Sequence, residues 1–87
     1  MSEYAVTLAD SVRKELRNLP SQVVKRLQPK IRELGSNPRP PACKKLQGYK
    51  NCWRVRVGDY RIVYTVDDES KVVDVTRVAH RKDVYEI

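Results

Sequence analysis

The sequence predicts an α+β domain in which a helical hairpin covers one face of an antiparallel sheet. Three observations indicate this fold. Two apolar stripes with helical spacing occupy the first 35 residues, the spacing then changes to strand-like alternation, and a proline-rich segment lies between the two patterns. The chain has 87 residues, which suits one domain over residues 1–87. We therefore expect the element order β-α-α-β-β-β.

The first half of the chain predicts a short strand and two helices. Residues 4–7 favour a strand. The first helical stripe consists of Leu8, Val12, Leu16 and Leu19, and the second consists of Val24, Leu27, Ile31 and Leu34. Pro20 and Ser21 separate the two stripes, so the helices form an antiparallel hairpin. Pro29 predicts a bend in the second helix, and Gly35 predicts its end.

The second half predicts three strands in a meander. Residues 36–42 form a proline-rich loop, and Gly48 offers a turn before alternation begins at Trp53. The predicted strands cover residues 53–57, 60–66 and 72–79. Gly58 and Asp59 separate the first two of these strands, which predicts a tight hairpin.

The alternation assigns side chains to the two faces of the sheet. If Trp53 and its apolar neighbours pack under the helices, Arg54 and Arg56 point to the opposite, open face, and Arg61 follows them there. If alternation is unbroken in the third strand, one face of the sheet receives one set of its side chains and His80 points to the opposite face. The set is Val73, Val75, Arg77, Ala79 and Arg81. Arg81 and Tyr85 follow this strand, and we expect them to reach the rim of the arginines.

The charge distribution indicates an acidic partner. The net charge is +7, and residues 41–64 hold six basic residues, Lys44 and Lys45 among them, against one acidic residue, Asp59. Nucleic acid, an acidic protein and a membrane surface all fit such a charge. Like charges on neighbouring strands repel, and a bound phosphate would relieve that repulsion. From the sequence alone, an ordinary solvated sheet face explains these basic residues equally well.

The remaining candidate residues carry weaker signals. His80 is the only histidine and a candidate acid or base near neutral pH, although a polar surface role is more common. Tyr85 is a candidate for orienting or deprotonating a hydroxyl, or for anchoring the tail over the core. Cys43 and Cys52 with one histidine do not make a zinc site, and a disulfide between them has no support. We expect no metal and no cofactor.

No segment approaches the ~20 apolar residues of a membrane span, and no secretory signal is visible at the N-terminus. We therefore expect a cytoplasmic protein without a membrane partner.

Two segments resemble a known family. The run from Cys52 to Tyr64, which contains GDYRIVY, and the run from Val78 to Tyr85, which contains HRKDVY, are similar to the RelE branch of the RelE/ParE toxin superfamily. The helical pattern from Leu8 to Leu34 extends the resemblance over nearly the whole chain. The resemblance implies a RelE-like fold and the toxin of a type II toxin–antitoxin pair.

The resemblance also implies an activity and partners. RelE-like toxins cut messenger RNA in the ribosomal A site without a metal, by attack of the ribose 2′-hydroxyl on the adjacent phosphate. A RelB-like antitoxin would bind the toxin, and operator DNA would be contacted only through that antitoxin. The family's catalytic positions fall on Arg54, Arg56, Arg61, Arg81 and Tyr85.

One departure from the family pattern changes the roles that the resemblance implies. Well-known members carry lysines where this chain has Arg54 and Arg56, and arginine does not lose its proton in proteins. These two residues would bind phosphate, with Lys44 and Lys45 beside them, while the base would be Tyr85 or His80. Two alternatives stay open: a ParE-like toxin that inhibits DNA gyrase, and an RNA-binding module without catalysis.

Overall fold

A five-stranded sheet forms the centre of the molecule in the computed structural model, which describes residues 3–84. The strands are β1 (Ala5–Leu8), β2 (Cys43–Lys45), β3 (Cys52–Val57), β4 (Tyr60–Asp67) and β5 (Val72–His80). The helices are α1 (Asp10–Arg17), α2 (Ser21–Ser36) and the single turn α3 (Arg81–Val84). Two long helices on a largely antiparallel sheet confirm the predicted α+β fold class.

The sheet has the strand order β1-β5-β4-β3-β2, so β4 lies at its centre. The three pairs among β2, β3, β4 and β5 are antiparallel, whereas β1 runs parallel to β5. The sheet is therefore mixed rather than purely antiparallel. The additional strand, β2, follows the predicted loop of residues 36–42 and is not among the predicted strands, because three residues are too few to show a period.

Helix α2 contains the whole second predicted stripe, whereas the first stripe is only partly helical, because Leu8 lies in β1 and Leu19 follows the end of α1. Helix α1 has Asp10 in its first turn and Lys14 and Arg17 in its last, an arrangement that complements the helix dipole. Helix α2 runs through the exposed Pro29 and ends at Ser36, one residue beyond the predicted stop at Gly35. Val12 of α1 and Leu27, Ile31 and Leu34 of α2 are buried against the sheet. None of the helices in the described part of the chain is long and apolar enough to cross a membrane.

The main core lies between the helices and one face of the sheet. Its sheet residues are Val55 and Val57 of β3, Ile62, Tyr64 and Val66 of β4, and Val73, Val75 and Val78 of β5. Tyr64 has no exposed surface, and its hydroxyl donates a 2.6 Å hydrogen bond to the carbonyl of Pro38. We call this side of the sheet the helix face and the other side the open face. A small apolar cluster of Leu46, Cys52 and Val63 is buried at the open face.

A β-bulge in β5 changes which residues reach each face. Val63 pairs with Arg77 and Tyr64 with Val75, so Thr76 is the extra residue. The assignment of side chains to faces that unbroken alternation predicts is confirmed up to Val75 and is wrong beyond it. Past the bulge, Val78 and His80 lie on the helix face, and Ala79 lies on the open face opposite Arg61. The bulge therefore decides which of the last residues of β5 accompany the arginines.

The proline-rich segment is tied to the turn after β4 by an ion pair. Arg39 donates two hydrogen bonds to the Asp68 carboxylate, at 2.8 and 3.3 Å, and the Tyr4 hydroxyl donates another at 2.6 Å. The Arg39 guanidinium also lies 5.2 Å from the ring centre of Trp53. The bonds from Arg39 and then Tyr4 hold the pKa of Asp68 below its usual value. The charged form of Asp68 is thus favoured by folding.

This network predicts a pH-dependent contribution to stability. Because the native pKa of Asp68 is lowered, its stabilising effect is full above the ordinary aspartate pKa of about 3.9 and is lost as the pH falls through the native value. Asp68→Asn should therefore lower the urea midpoint at pH 7, and the difference from wild type should shrink below about pH 3.9. Glu69→Gln, in the same exposed turn, is the control. A difference that stays constant down to acid pH contradicts this account.

Candidate nucleic-acid interface

The open face carries basic side chains at facing positions of neighbouring strands. Arg56 of β3 pairs directly with Arg61 of the central strand β4, and Arg54 of β3 pairs with Lys44 of β2. Like charges at such positions repel each other and destabilise the sheet. We call Lys44, Arg54, Arg56 and Arg61 the cationic cluster. Its assembly costs stability, so a purely structural role does not explain it.

Arg61 is the most constrained member of the cluster. It is only 7% exposed, and among the described residues it is the one charged side chain that is buried. Its Nη1 donates hydrogen bonds to the carbonyls of Gly58 and Tyr60, at 3.3 and 3.0 Å. Among residues 3–82, whose side chains the structure describes, no carboxylate forms an ion pair with it. The guanidinium is therefore fixed by neutral backbone groups and keeps its whole charge available to a ligand.

The surroundings of Arg61 disfavour its charge. Burial lowers the pKa of Arg61 from its ordinary value, and the neighbouring charges of Arg56, Arg54 and Arg81 lower it further, with only a small opposing effect from Asp59. Arginine nevertheless stays protonated, because its intrinsic pKa lies far above neutral pH. A bound anion would compensate the repulsion among these groups.

The cationic cluster surrounds a cavity of about 260 Å³. The cavity is lined by Lys44, Arg54, Arg56, Arg61 and Ala42. Four cationic residues and no acidic one line the space, and planar guanidinium groups donate paired hydrogen bonds to phosphate oxygens. The cavity is thus suited to phosphate groups rather than to an apolar ligand. Ala42 was not among the predicted site residues, and nothing in its sequence context distinguishes it.

The other predicted site residues are distributed over both faces. Arg81 begins α3, is exposed, and is near enough to lower the pKa of Arg61, so it joins the edge of the cluster. Lys45 pairs with Trp53 and lies on the helix side of β2, away from the cavity. Tyr85 lies outside the described residues.

His80 is also placed away from the cluster. It pairs with Tyr60 on the helix face, and the two rings meet edge to face with their centres 5.4 Å apart. Its Nδ1 accepts a 3.3 Å hydrogen bond from the backbone N–H of Lys82. The structure therefore does not bring His80 to the cationic cluster, and its catalytic assignment stays a prediction without geometric support.

The cluster contains no obvious protein nucleophile. Cys52 is buried on the open face, and this burial raises the pKa of its thiol, which keeps it protonated at neutral pH. Cys52 and Cys43 are both free thiols. Among the side chains of residues 3–82, no group of three or more potential metal ligands is assembled. The arrangement is suited to binding and polarising phosphate.

Comparison with known proteins places the chain in a family. The family model described as the ParE toxin of type II toxin–antitoxin systems matches residues 6–85. This chain belongs to the RelE/ParE family of type II toxins. The match covers both long helices, the strands β2 to β5 and all but the first residue of β1, so the resemblance predicted from the two sequence segments is confirmed.

The similar family members with established names are RelE proteins. Toxin RelE3 of Methanocaldococcus jannaschii is 34% identical over 85 residues, which cover 93% of this chain and 94% of the relative. The mRNA interferase toxin RelE of Escherichia coli is 36% identical over 81 residues, covering 91% and 84% of the two chains.

Solved structures of the family show the same fold. The archaeal RelE–RelB complex from Pyrococcus horikoshii matches with a TM-score of 0.82 and 29% identity, and covers 94% of this chain and 99% of the other. The intact E. coli RelBE complex matches with a TM-score of 0.78 and 35% identity, and covers 88% and 95%. Both of these RelE/ParE relatives were crystallised together with antitoxins.

Proposed function

We propose that this RelE/ParE toxin is a metal-independent endoribonuclease that cuts messenger RNA on the ribosome. The observation that carries the proposal is the buried Arg61, which forms no ion pair with the described carboxylates and lines a cavity together with Lys44, Arg54 and Arg56. A 36% identical relative that is an mRNA interferase supports the same activity. The substrate class is single-stranded RNA, whose phosphates the cluster would bind.

In the proposed reaction, the ribose 2′-hydroxyl of the RNA attacks the adjacent phosphorus. The bond from phosphorus to the 5′-oxygen of the next nucleotide breaks, which leaves a 2′,3′-cyclic phosphate and a 5′-hydroxyl. Negative charge concentrates on the non-bridging oxygens in the transition state. Fixed guanidinium groups stabilise that state more than the ground state, which is the requirement for catalysis.

The residues of the cluster have separate roles in this proposal. Arg61 binds the scissile phosphate, because its position is fixed by the carbonyls of Gly58 and Tyr60. Arg54, Arg56 and Lys44 bind phosphates along the strand. Arg81, at the edge, binds the phosphate or assists the leaving oxygen. The base is assigned to Tyr85, since His80 lies on the helix face.

Dependence on the ribosome follows from the same residues. Arginines cannot accept a proton, so the cluster provides little general base catalysis of its own. Such a site requires its substrate to be held in the attacking geometry, which a ribosome with bound messenger RNA can supply. A RelB-like antitoxin is the proposed protein partner, because RelE relatives were crystallised with RelB and the cationic face suits an acidic chain.

The test is to map the 5′ ends of messenger RNA in a translating extract, with and without the purified protein. New 5′-hydroxyl ends within translated codons, absent when ribosomes are omitted, are the expected result. Efficient cutting of naked messenger RNA at the same protein concentration would refute the ribosome dependence. The absence of new ends in both arms would refute the nuclease.

Inhibition of DNA gyrase is the second candidate function, because the matching family model is described as a ParE toxin. It predicts DNA breakage on expression and no cut messenger RNA. An RNA-binding module without catalysis is the remaining alternative. It predicts an affinity for RNA that falls with salt and no new 5′ ends of messenger RNA.

A further inference from the structure

The turn between β3 and β4 contacts two arginines of the proposed site through its backbone. The carbonyls of Gly58 and Tyr60 accept hydrogen bonds from Nη1 of Arg61. The carbonyl of Asp59 accepts a 2.8 Å hydrogen bond from the backbone N–H of Arg81, where α3 begins. Three consecutive carbonyls of one turn thus fix the guanidinium of Arg61 and the starting point of Arg81.

Gly58 gives this turn its conformation. Its φ is +58°, in the left-handed region that L-residues with a Cβ rarely adopt. The other face of the glycine is covered by α2. A Cβ added at Gly58 would lie 2.9 Å from Nη2 of Arg26 and 3.4 Å from its Cζ. A side chain at this position must therefore strain the backbone and displace the Arg26 guanidinium.

We propose that Gly58 is a positioning residue of the RNA site: its left-handed conformation aims Arg61 and places Arg81. The inference rests on the proposed nuclease function for its kinetic consequence. The expected effect of Gly58 on the position of the Arg61 guanidinium does not depend on that function.

The kinetic consequence follows from the geometry that phosphoryl chemistry demands. A displacement of about 1 Å in a group that contacts the reacting phosphate costs on the order of 10²-fold in rate. Lys44, Arg54 and Arg56 lie on strands and do not depend on this turn, so RNA affinity should survive. Gly58→Ala should therefore lower kcat by about 10–100-fold and change KM little.

A second glycine offers a matched control. Gly48 also has a positive φ, of +83°, but nothing lies within 4 Å of its would-be Cβ, and it belongs to the loop between β2 and β3. Gly48→Ala imposes comparable backbone strain away from Arg61 and Arg81. Gly48→Ala should leave kcat unchanged. The drop in its unfolding temperature measures how much stability a Cβ at a positive φ costs in this protein.

Two further variants separate backbone strain from the contact with Arg26. Asparagine tolerates the left-handed region better than alanine, so Gly58→Asn should keep more activity than Gly58→Ala. The Arg26 guanidinium is the flexible end of an exposed side chain and can move aside, so adding Arg26→Ala to Gly58→Asn should change kcat little and thereby assign the loss to the backbone. Gly58→Asn also keeps the test valid if Gly58→Ala fails to fold.

The experiment combines steady-state cleavage at varied concentrations of programmed ribosomes, which gives kcat and KM, with NMR of the arginine side-chain N–H groups. In Gly58→Ala, the NMR signals of Arg61 should shift and its side-chain N–H protons should exchange faster with solvent. Gly58→Asn serves for this measurement if the alanine variant does not fold. Gly48→Ala should leave the Arg61 signals unchanged. Unaltered Arg61 signals with wild-type kcat in both folded Gly58 variants overturn the inference. An equal loss of kcat in Gly48→Ala also overturns it. If the wild-type protein cuts no RNA, the proposed function fails, and a shift of the Arg61 signals still establishes the positioning role.

Discussion

Replacing Arg61 with alanine should lower the rate of messenger RNA cleavage by about 10²–10³-fold, the usual cost of removing one preorganised donor to a charged transition state. Arg61 is the buried member of the cationic cluster, and its guanidinium is already fixed before RNA arrives. Removing it deletes an interaction that is stronger in the transition state than in the ground state. The measurement is single-turnover cleavage on ribosomes programmed with a short messenger RNA.

The lysine substitution distinguishes charge from geometry. Arg61→Lys keeps the charge and loses the paired donors, so we expect only partial recovery relative to alanine. Lys25→Ala, on the exposed surface of α2, is the control and should cleave at the wild-type rate. A folded Arg61→Ala protein that cleaves at the wild-type rate would show that the assignment of this residue is wrong.

Replacing Arg61 with methionine should not lower stability, in contrast to its expected effect on the cleavage rate. Arg61→Met replaces a buried cation that faces Arg56 with an apolar side chain of similar length. Replacing poorly compensated buried charges with apolar groups is often neutral or stabilising. We therefore expect this inactive variant to unfold at a temperature equal to or above that of the wild type.

Replacing Leu27 with alanine should destabilise the fold by about 2–5 kcal/mol, the usual range for a buried leucine. Leu27 is fully buried where α2 packs on the sheet. A domain of this size has a total stability of about 5–15 kcal/mol, so the loss is a large fraction of it. Urea unfolding followed by circular dichroism measures the effect.

The neighbouring residue of the same helix is the control. Gln28 is exposed, and Gln28→Ala should change stability by no more than about 0.5 kcal/mol. Equal midpoints for Leu27→Ala and the wild type would contradict the packing of α2 against the sheet.

Much of the site was predictable because strand alternation is a local property. Arg54 and Arg56 alternate with buried valines, and the short turn at Gly58 and Asp59 brings β4 beside β3. Those two facts place Arg61 opposite Arg56 without information on contacts between residues that are far apart in the sequence. Lys44 was predicted as a phosphate ligand from charge alone, and its position in the cavity depends on the short strand β2.

The sequence by itself determined the α+β class, the two helical stripes, the hairpin of β3 and β4, and the face shared by three arginines, because each depends on spacing within one segment. Tertiary structure decided the parallel pairing of β1 with β5, the cavity, and the bulge at Thr76. That bulge turns His80 to the helix face and Ala79 to the side of Arg61. An inserted residue is visible only in the register between two strands, so periodicity along a single strand cannot reveal it.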